Sequence, residues 1–309
     1  SDNFNNTLVL QGSLEVLPKE LTATLTSSKT KVYDGSDDMP SLSFSLATPI
    51  TGDVVEVSGR GKYSSKDAGT RNYTVSGMTL SGADAGNYII QGGAAASITG
   101  ADGQITKKAL TLTPVSGQGK TYGASDPILT YTHSGSLSKE TPGFGGTLGR
   151  VAGESVGTYE ITQGSLLLQD NADFLKDNYE LVFTAGVDFT INAKSLESGD
   201  ISIVPISDLV YNGTAQTPSP EVKDGATTLV EDTDYELSYA SNTNVGTATI
   251  TLTGKGNYNG TRTVSFNITP APLTITAEAK GKEFGAVDPA LTVSYTGFVS
   301  GEDAEEGAS

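Results

Sequence analysis

The chain has 309 residues, of which 36% are hydrophobic and 7% aromatic; Thr, Gly and Ser dominate, and there is no cysteine. Nineteen basic residues against 36 acidic ones leave a net charge of −17, which disfavours nucleic acid and anionic membrane surfaces as partners. The missing cysteines exclude a disulfide-stapled small module, and no apolar run approaches the roughly 18 residues that would insert in a membrane.

One nine-residue pattern organises the chain. VYDGSDDMP (Val32–Pro40), TYGASDPIL (Thr121–Leu129), VYNGTAQTP (Val210–Pro218) and EFGAVDPAL (Glu283–Leu291) each join an aromatic residue to a glycine. The aromatic positions Tyr33, Tyr122, Tyr211 and Phe284 lie 89, 89 and 73 residues apart, a period of one small domain per copy. Gly35, Gly123 and Gly213 suit a turn that needs positive φ, and Gly285 is the matching anchor of the fourth copy.

Taken in order, residues 1–19 read as the back half of a preceding unit, because Asp2–Leu21 lines up with Asp177–Leu196, with strands expected over Asn6–Val16. Three whole units follow, at 20–107, 108–194 and 195–270, and residues 271–309 read as the front half of another. Each whole unit opens on an alternating strand, Leu21–Leu25, Leu110–Leu112 and Ile201–Ile203, whose period of two predicts one buried face. A second landmark is a loop-ending glycine: Gly69 in DAGTRNYTV, Gly157 in SVGTYEIT and Gly246 in NVGTATIT. A third is Asn-Tyr, at Tyr88, Tyr179 and Tyr258, and the closing strands end at Ile105, Ile191 and Ile268. The only helical signal, Asp170–Lys176, amounts to a turn or two. The short linkers, stiffened by Pro or Lys, predict an elongated, semi-rigid rod, and the Ser at position 1 suits an internal fragment.

These landmarks resemble known repeats. Lys31–Gly35, Leu80–Tyr88 and Ile105–Leu112 look like the YDG repeat of bacterial surface proteins, covering residues 20–107. TYGASDPILTYT, VGTYEIT and DNYELVF look like the MBG ("mostly beta, glycine-rich") repeat over 108–194, as do the two terminal half-units. Residues 195–270 are similar to a related short surface repeat. The resemblance implies a large secreted or surface-anchored, adhesin-like bacterial protein and carries no catalytic residues.

The fold expected is all-β: tandem small antiparallel Ig-like β-sandwich repeats, with β-grasp-like units as the alternative. The function expected is a non-catalytic stalk or spacer at the cell surface, without a cofactor. A second reading is a glycan- or protein-binding module using the loops Leu137–Arg150 or Gly225–Thr233; a third is an accessory region of a glycan-degrading enzyme. His133 is the only histidine, so neither a Ser-His-Asp triad nor a multi-histidine metal site can be assembled. Asp37 and Asp38, and Asp232 and Asp234, offer oxygen ligands of the kind calcium takes, in turns where Asp is at home anyway. Tyr88, Tyr179 and Tyr258 read as buried rings with the hydroxyl bonded to loop backbone. The partners expected are neighbouring repeats of the same chain, and other copies joined head-to-tail through the half-units.

Overall fold

The computed structural model describes residues 12–302. Helical conformation among them is confined to three single 3-10 turns, Ala85–Asn87, Gly93–Ala95 and Lys176–Asn178; everything else regular is strand. The chain is all-β. The turn expected over Asp170–Lys176 falls instead at its end, directly before Tyr179. No helix crosses a sheet among the described residues, so a grasp-like unit would lack its helix.

The chain divides into two compact bodies. The first takes residues up to 115, 129–149 and 162–186. Its first repeat folds into a three-stranded sheet, Phe44–Ala47, Lys19–Leu25, Tyr88–Ile90, and a four-stranded one, Thr30–Val32, Ile98–Thr106, Gly69–Ser81, Glu56–Tyr63. The sheet Tyr131–Ser134, Lys108–Pro114, Tyr179–Phe183 completes the body with the pair Gly143–Gly145 and Leu167–Gln169. Alternation in Lys108–Pro114 sends Leu110 and Leu112 fully inward. Leu110 joins a core built around Tyr33, Tyr63, Tyr73, Val75, Ile105 and Tyr179. Each such aliphatic contributes about 1.5–3 kcal/mol by leaving water.

The second body takes residues 116–128, 150–161 and those from 187 on. Its largest sheet runs Leu209–Val210, Thr261–Thr269, Gly246–Gly254, Tyr235–Ala240, and Ala248, Ile250 and Leu252 alternate into its core with Phe266 and Ile268. The strands Ile201–Ile203, Val222–Asp224 and Thr227–Thr228 make a smaller sheet. The hairpin Thr274–Ala277 with Val293–Thr296 stands with all its residues exposed.

The sheets are mixed, where purely antiparallel pairing was expected. Two parallel registers recur once per repeat. Lys19 pairs with Tyr88, Lys108 with Tyr179 and Lys194 with Tyr258. Thr30–Val32 runs beside Gln104–Thr106, Gly119–Thr121 beside Thr190–Asn192, and Leu209–Val210 beside Ile268–Thr269. In each case the partners stand at opposite ends of a repeat, which gives the long crossover that a parallel pair needs. An antiparallel register recurs too: Gly69 opposite Ile105, Gly157 opposite Ile191, Gly246 opposite Ile268. Of the strands expected before residue 19, Asn6 to Gln11 lie outside the described residues, and residues 12–18 run outside any strand into Lys19–Leu25.

Candidate functional site: the tyrosine joints

The repeated registers deliver the landmark residues to one kind of place, the joint between a repeat and the next. The backbone N–H of each leading tyrosine continues a parallel ladder: Tyr33 donates to Thr106 O (2.9 Å), Tyr122 to Asn192 O (2.8 Å) and Tyr211 to Thr269 O (2.9 Å). With the backbone fixed there, the ring projects onto the following repeat.

In the first joint Tyr33 meets Tyr179 edge-on, ring centres 5.5 Å apart at 74°, and Phe174 stacks on Tyr179 at 4.8 Å. Such aromatic pairs add about 0.5–1.5 kcal/mol beyond the area they bury. Both phenols donate to one carboxylate, Tyr33 to Glu140 Oε1 and Tyr179 to Glu140 Oε2, each at 2.6 Å. The Leu137 N–H donates to the Tyr179 hydroxyl at 3.1 Å. Burial, reinforced by Glu140, pushes the Tyr179 phenol up to about 12 and raises that of Tyr33 as well. The buried Asn178 accepts from Ala68 N (2.8 Å) and donates to Asp67 Oδ1 (3.0 Å). That bond from Asn178 holds Asp67 below the usual carboxylate range. Gly35, at φ +79°, lets Leu137 sit close: a Cβ there would lie 3.0 Å from Leu137 Cδ1.

The second joint repeats the plan. Tyr122 meets Tyr258 edge-on at 5.5 Å and 75°, and Val156 N donates to Asn257 Oδ1 at 2.8 Å, as Ala68 does to Asn178. The Tyr258 phenol, raised by burial and by Asp224, donates to Asp224 Oδ2 (3.2 Å), whose other oxygen accepts from Lys194 Nζ (2.6 Å). In the third joint Tyr211 donates to Glu302, and Gly213, again at φ +79°, underlies Val299; a Cβ would meet Val299 Cγ1 at 2.6 Å.

The second-landmark glycines, Gly69, Gly157 and Gly246, hold φ of +131°, +156° and +138°. Beside the second joint, Arg150 and Lys120 clamp the turn after Tyr122. Arg150 donates to both oxygens of Asp126 (2.7 and 3.1 Å) and lies over the rings of Tyr159 and Phe189. The bonds from Arg150 and then Lys120 hold the Asp126 carboxyl down to about 2.

The remaining sequence candidates lie away from the joints. Asp37 and Asp38 both pair with Lys62, at 2.6 and 3.0 Å. Asp234 caps its own turn by accepting from Val230 N (2.9 Å), and Asp232 adopts φ +66° beside it. No group of three or more His, Asp or Glu that could hold a metal occurs among the described residues. His133 lies exposed on its strand beside Phe144. Tyr88 and Phe284 receive no aromatic partner among the described residues.

What sequence reading missed are the acids. Glu140 and Glu302 stand at matching positions, each 11 residues after the last leucine of the nine-residue pattern, 140 − 129 and 302 − 291. That spacing was the available signal. Asp224 has no such marker.

The YDG domain model matches residues 17–98, and the MBG domain (YGX type) model matches 110–190 and again 273–308. The chain carries YDG and MBG repeats. No curated protein matches it. The first joint therefore links the YDG repeat to the first MBG repeat, and the third leads into the second MBG match.

Proposed function

We propose that this segment is a non-catalytic spacer of a secreted or cell-surface, adhesin-like protein, whose repeats keep fixed registers with their neighbours. The carrying observation is the tyrosine joint. Glu140 and Glu302, side chains suited to chemistry or ligand binding, each accept a phenol from the preceding repeat, while Asp224 holds the Tyr258 on which Tyr122 docks. A spacer needs that use of them and a binding site does not.

The loops that a binding module would use are also committed to structure. In Leu137–Arg150, Leu137 and Glu140 belong to the first joint, Gly143–Gly145 pairs as a strand, and Arg150 grips Asp126. In Gly225–Thr233, Leu229 is buried and residues 227–228 pair with Lys223 and Asp224. The test is an array of glycans and matrix proteins probed with the full chain. A spacer binds no component; saturable binding that alanine substitution within either loop abolishes would replace this reading with the binding module.

A further inference from the structure

The chain writes one tetrapeptide twice and folds it in two ways. Tyr211–Thr214 and Tyr258–Thr261 both read Tyr-Asn-Gly-Thr, and Asn212-Gly213 and Asn259-Gly260 are the only Asn-Gly pairs in the sequence. Asparagine before glycine carries a reaction of its own, because glycine has no side chain to keep its backbone nitrogen away from the asparagine amide. That nitrogen attacks Cγ, ammonia leaves, and the cyclic imide takes up water to give aspartate or isoaspartate. The local sequence is the same at both places, so any difference in rate comes from the fold.

At Asn212 the side chain folds back over the turn. Its Oδ1 accepts from Thr214 N and from Thr214 Oγ1, each at 3.0 Å, in an Asx turn that bends the amide along the Gly213 peptide. Both donors sit where negative charge gathers on Oδ1 during attack at Cγ, so they stabilise the reacting state. Asn212 Nδ2, the leaving group, and Gly213 N, the nucleophile, have no hydrogen-bond partner among the described residues. Both residues are exposed to water. Asn259 is held differently. Its strand, Tyr258–Asn259, pairs with Lys194–Ser195; the Asn259 carbonyl accepts from Leu196 N and the Gly260 carbonyl from Gly254 N, each at 2.9 Å. Those bonds fix the intervening peptide in the ladder, and no donor reaches Asn259 Oδ1 among the described residues.

We propose that Asn212 is a site of spontaneous modification: within the native fold it passes through the imide to aspartate and isoaspartate, while the strand protects Asn259. The reaction balances with water alone, since the amide nitrogen departs as ammonia and an oxygen from water takes its place. The first repeat carries an aspartate at this point already. Asp34, one residue after Tyr33, accepts from Ser36 N and Ser36 Oγ, each at 2.9 Å, as Asn212 does from Thr214, and also from Lys31 Nζ at 2.7 Å. Leu209 stands where Lys31 does, two residues before the tyrosine, so a carboxylate at position 212 gains no such cation. Isoaspartate further adds a methylene to the main chain between Tyr211 and Gly213. Both changes fall beside Tyr211, whose N–H donates to Thr269 O at 2.9 Å and whose phenol donates to Glu302, so the third joint loosens as the site ages. The proposal stands whether or not the segment is a spacer.

Peptide mapping by mass spectrometry, on the full chain aged at mildly alkaline pH, is the test. Trypsin separates the two sites, cutting after Lys194 and Lys223 around Asn212 and after Lys255 and Arg262 around Asn259. In the folded chain Asn212 converts about tenfold or more faster than Asn259, the effect of donors placed at the developing oxyanion. In denaturant the two identical tetrapeptides react at closely similar rates. Thr214→Val removes the hydroxyl donor and slows Asn212 in the folded chain without changing Asn259. Aged wild type exchanges the Tyr211 amide faster than fresh protein does, and Asn212→Asp, which carries the charge without the added methylene, shows a smaller part of that gain. An Asn212 that stays intact in the fold, one that reacts no faster than Asn259, or a Thr214→Val chain that ages like the wild type would each overturn the proposal.

Discussion

Removing Glu140 tests the first joint where it is most concentrated. In Glu140→Ala, Tyr33 and Tyr179, each 2% exposed, lose their shared acceptor. A hydrogen bond to a charged group contributes about 1.5–3 kcal/mol, so the two together set an upper limit near 6 kcal/mol. Glu140 is half-buried, so water can reach part of the vacated site, and the expected loss falls to about 2–3 kcal/mol. For a body of this size each kcal/mol moves the midpoint by roughly 2–4 °C, which predicts a fall of about 5–10 °C in calorimetry of the full chain. Glu140→Gln keeps one acceptor oxygen and gives about half the effect. An Ala variant that melts with the wild type would refute the inference that the joint holds these repeats together.

Alkaline pH reaches the same joint from the proton side. The Tyr179 phenol is ordinarily near 10 and stands at about 12 in the fold, so its contribution is complete below pH 10 and disappears as pH rises through 12. Denaturation midpoints should fall across that window, and less steeply in Tyr179→Phe. Asp126 works in the opposite sense: its stabilisation is full above pH 4 and is lost as pH drops through about 2, a loss that Asp126→Asn abolishes. Gly213→Ala forces a Cβ into positive φ and to 2.6 Å from Val299, and should cost about 1–2 kcal/mol in chemical denaturation. Asn178→Ala strands the Ala68 N–H and Asp67 and should cost about 1–3 kcal/mol, with faster amide exchange at Ala68.

The repeat, the strands and the turn glycines were legible because each has a local cause. Leu110, Thr111 and Leu112 alternate on a two-sided strand, and Gly35 and Gly213 mark a backbone conformation that few other residues adopt. Strand direction was not legible, because alternation is the same in parallel and antiparallel pairs; Lys19 beside Tyr88 is a contact across 69 residues. The tyrosines read as buried rings bonded to loop backbone. The Ile50 and Leu137 N–H groups do reach Tyr88 and Tyr179, but the stronger partners are carboxylates. Glu140 escaped notice because its two partners come from different repeats, so no single copy of the pattern contains the site. The Tyr33–Tyr179 contact was hidden for the same reason.

A double-mutant cycle on Tyr33 and Glu140 is the most direct measurement of whether neighbouring repeats are coupled through a phenol and a carboxylate. Stabilities of Tyr33→Phe, Glu140→Gln and the double variant give the pairwise energy. The 2.6 Å bond predicts a coupling of about 1 kcal/mol or more, with the double variant little worse than the worse single one. Strict additivity, with no coupling between the two positions, would contradict the account.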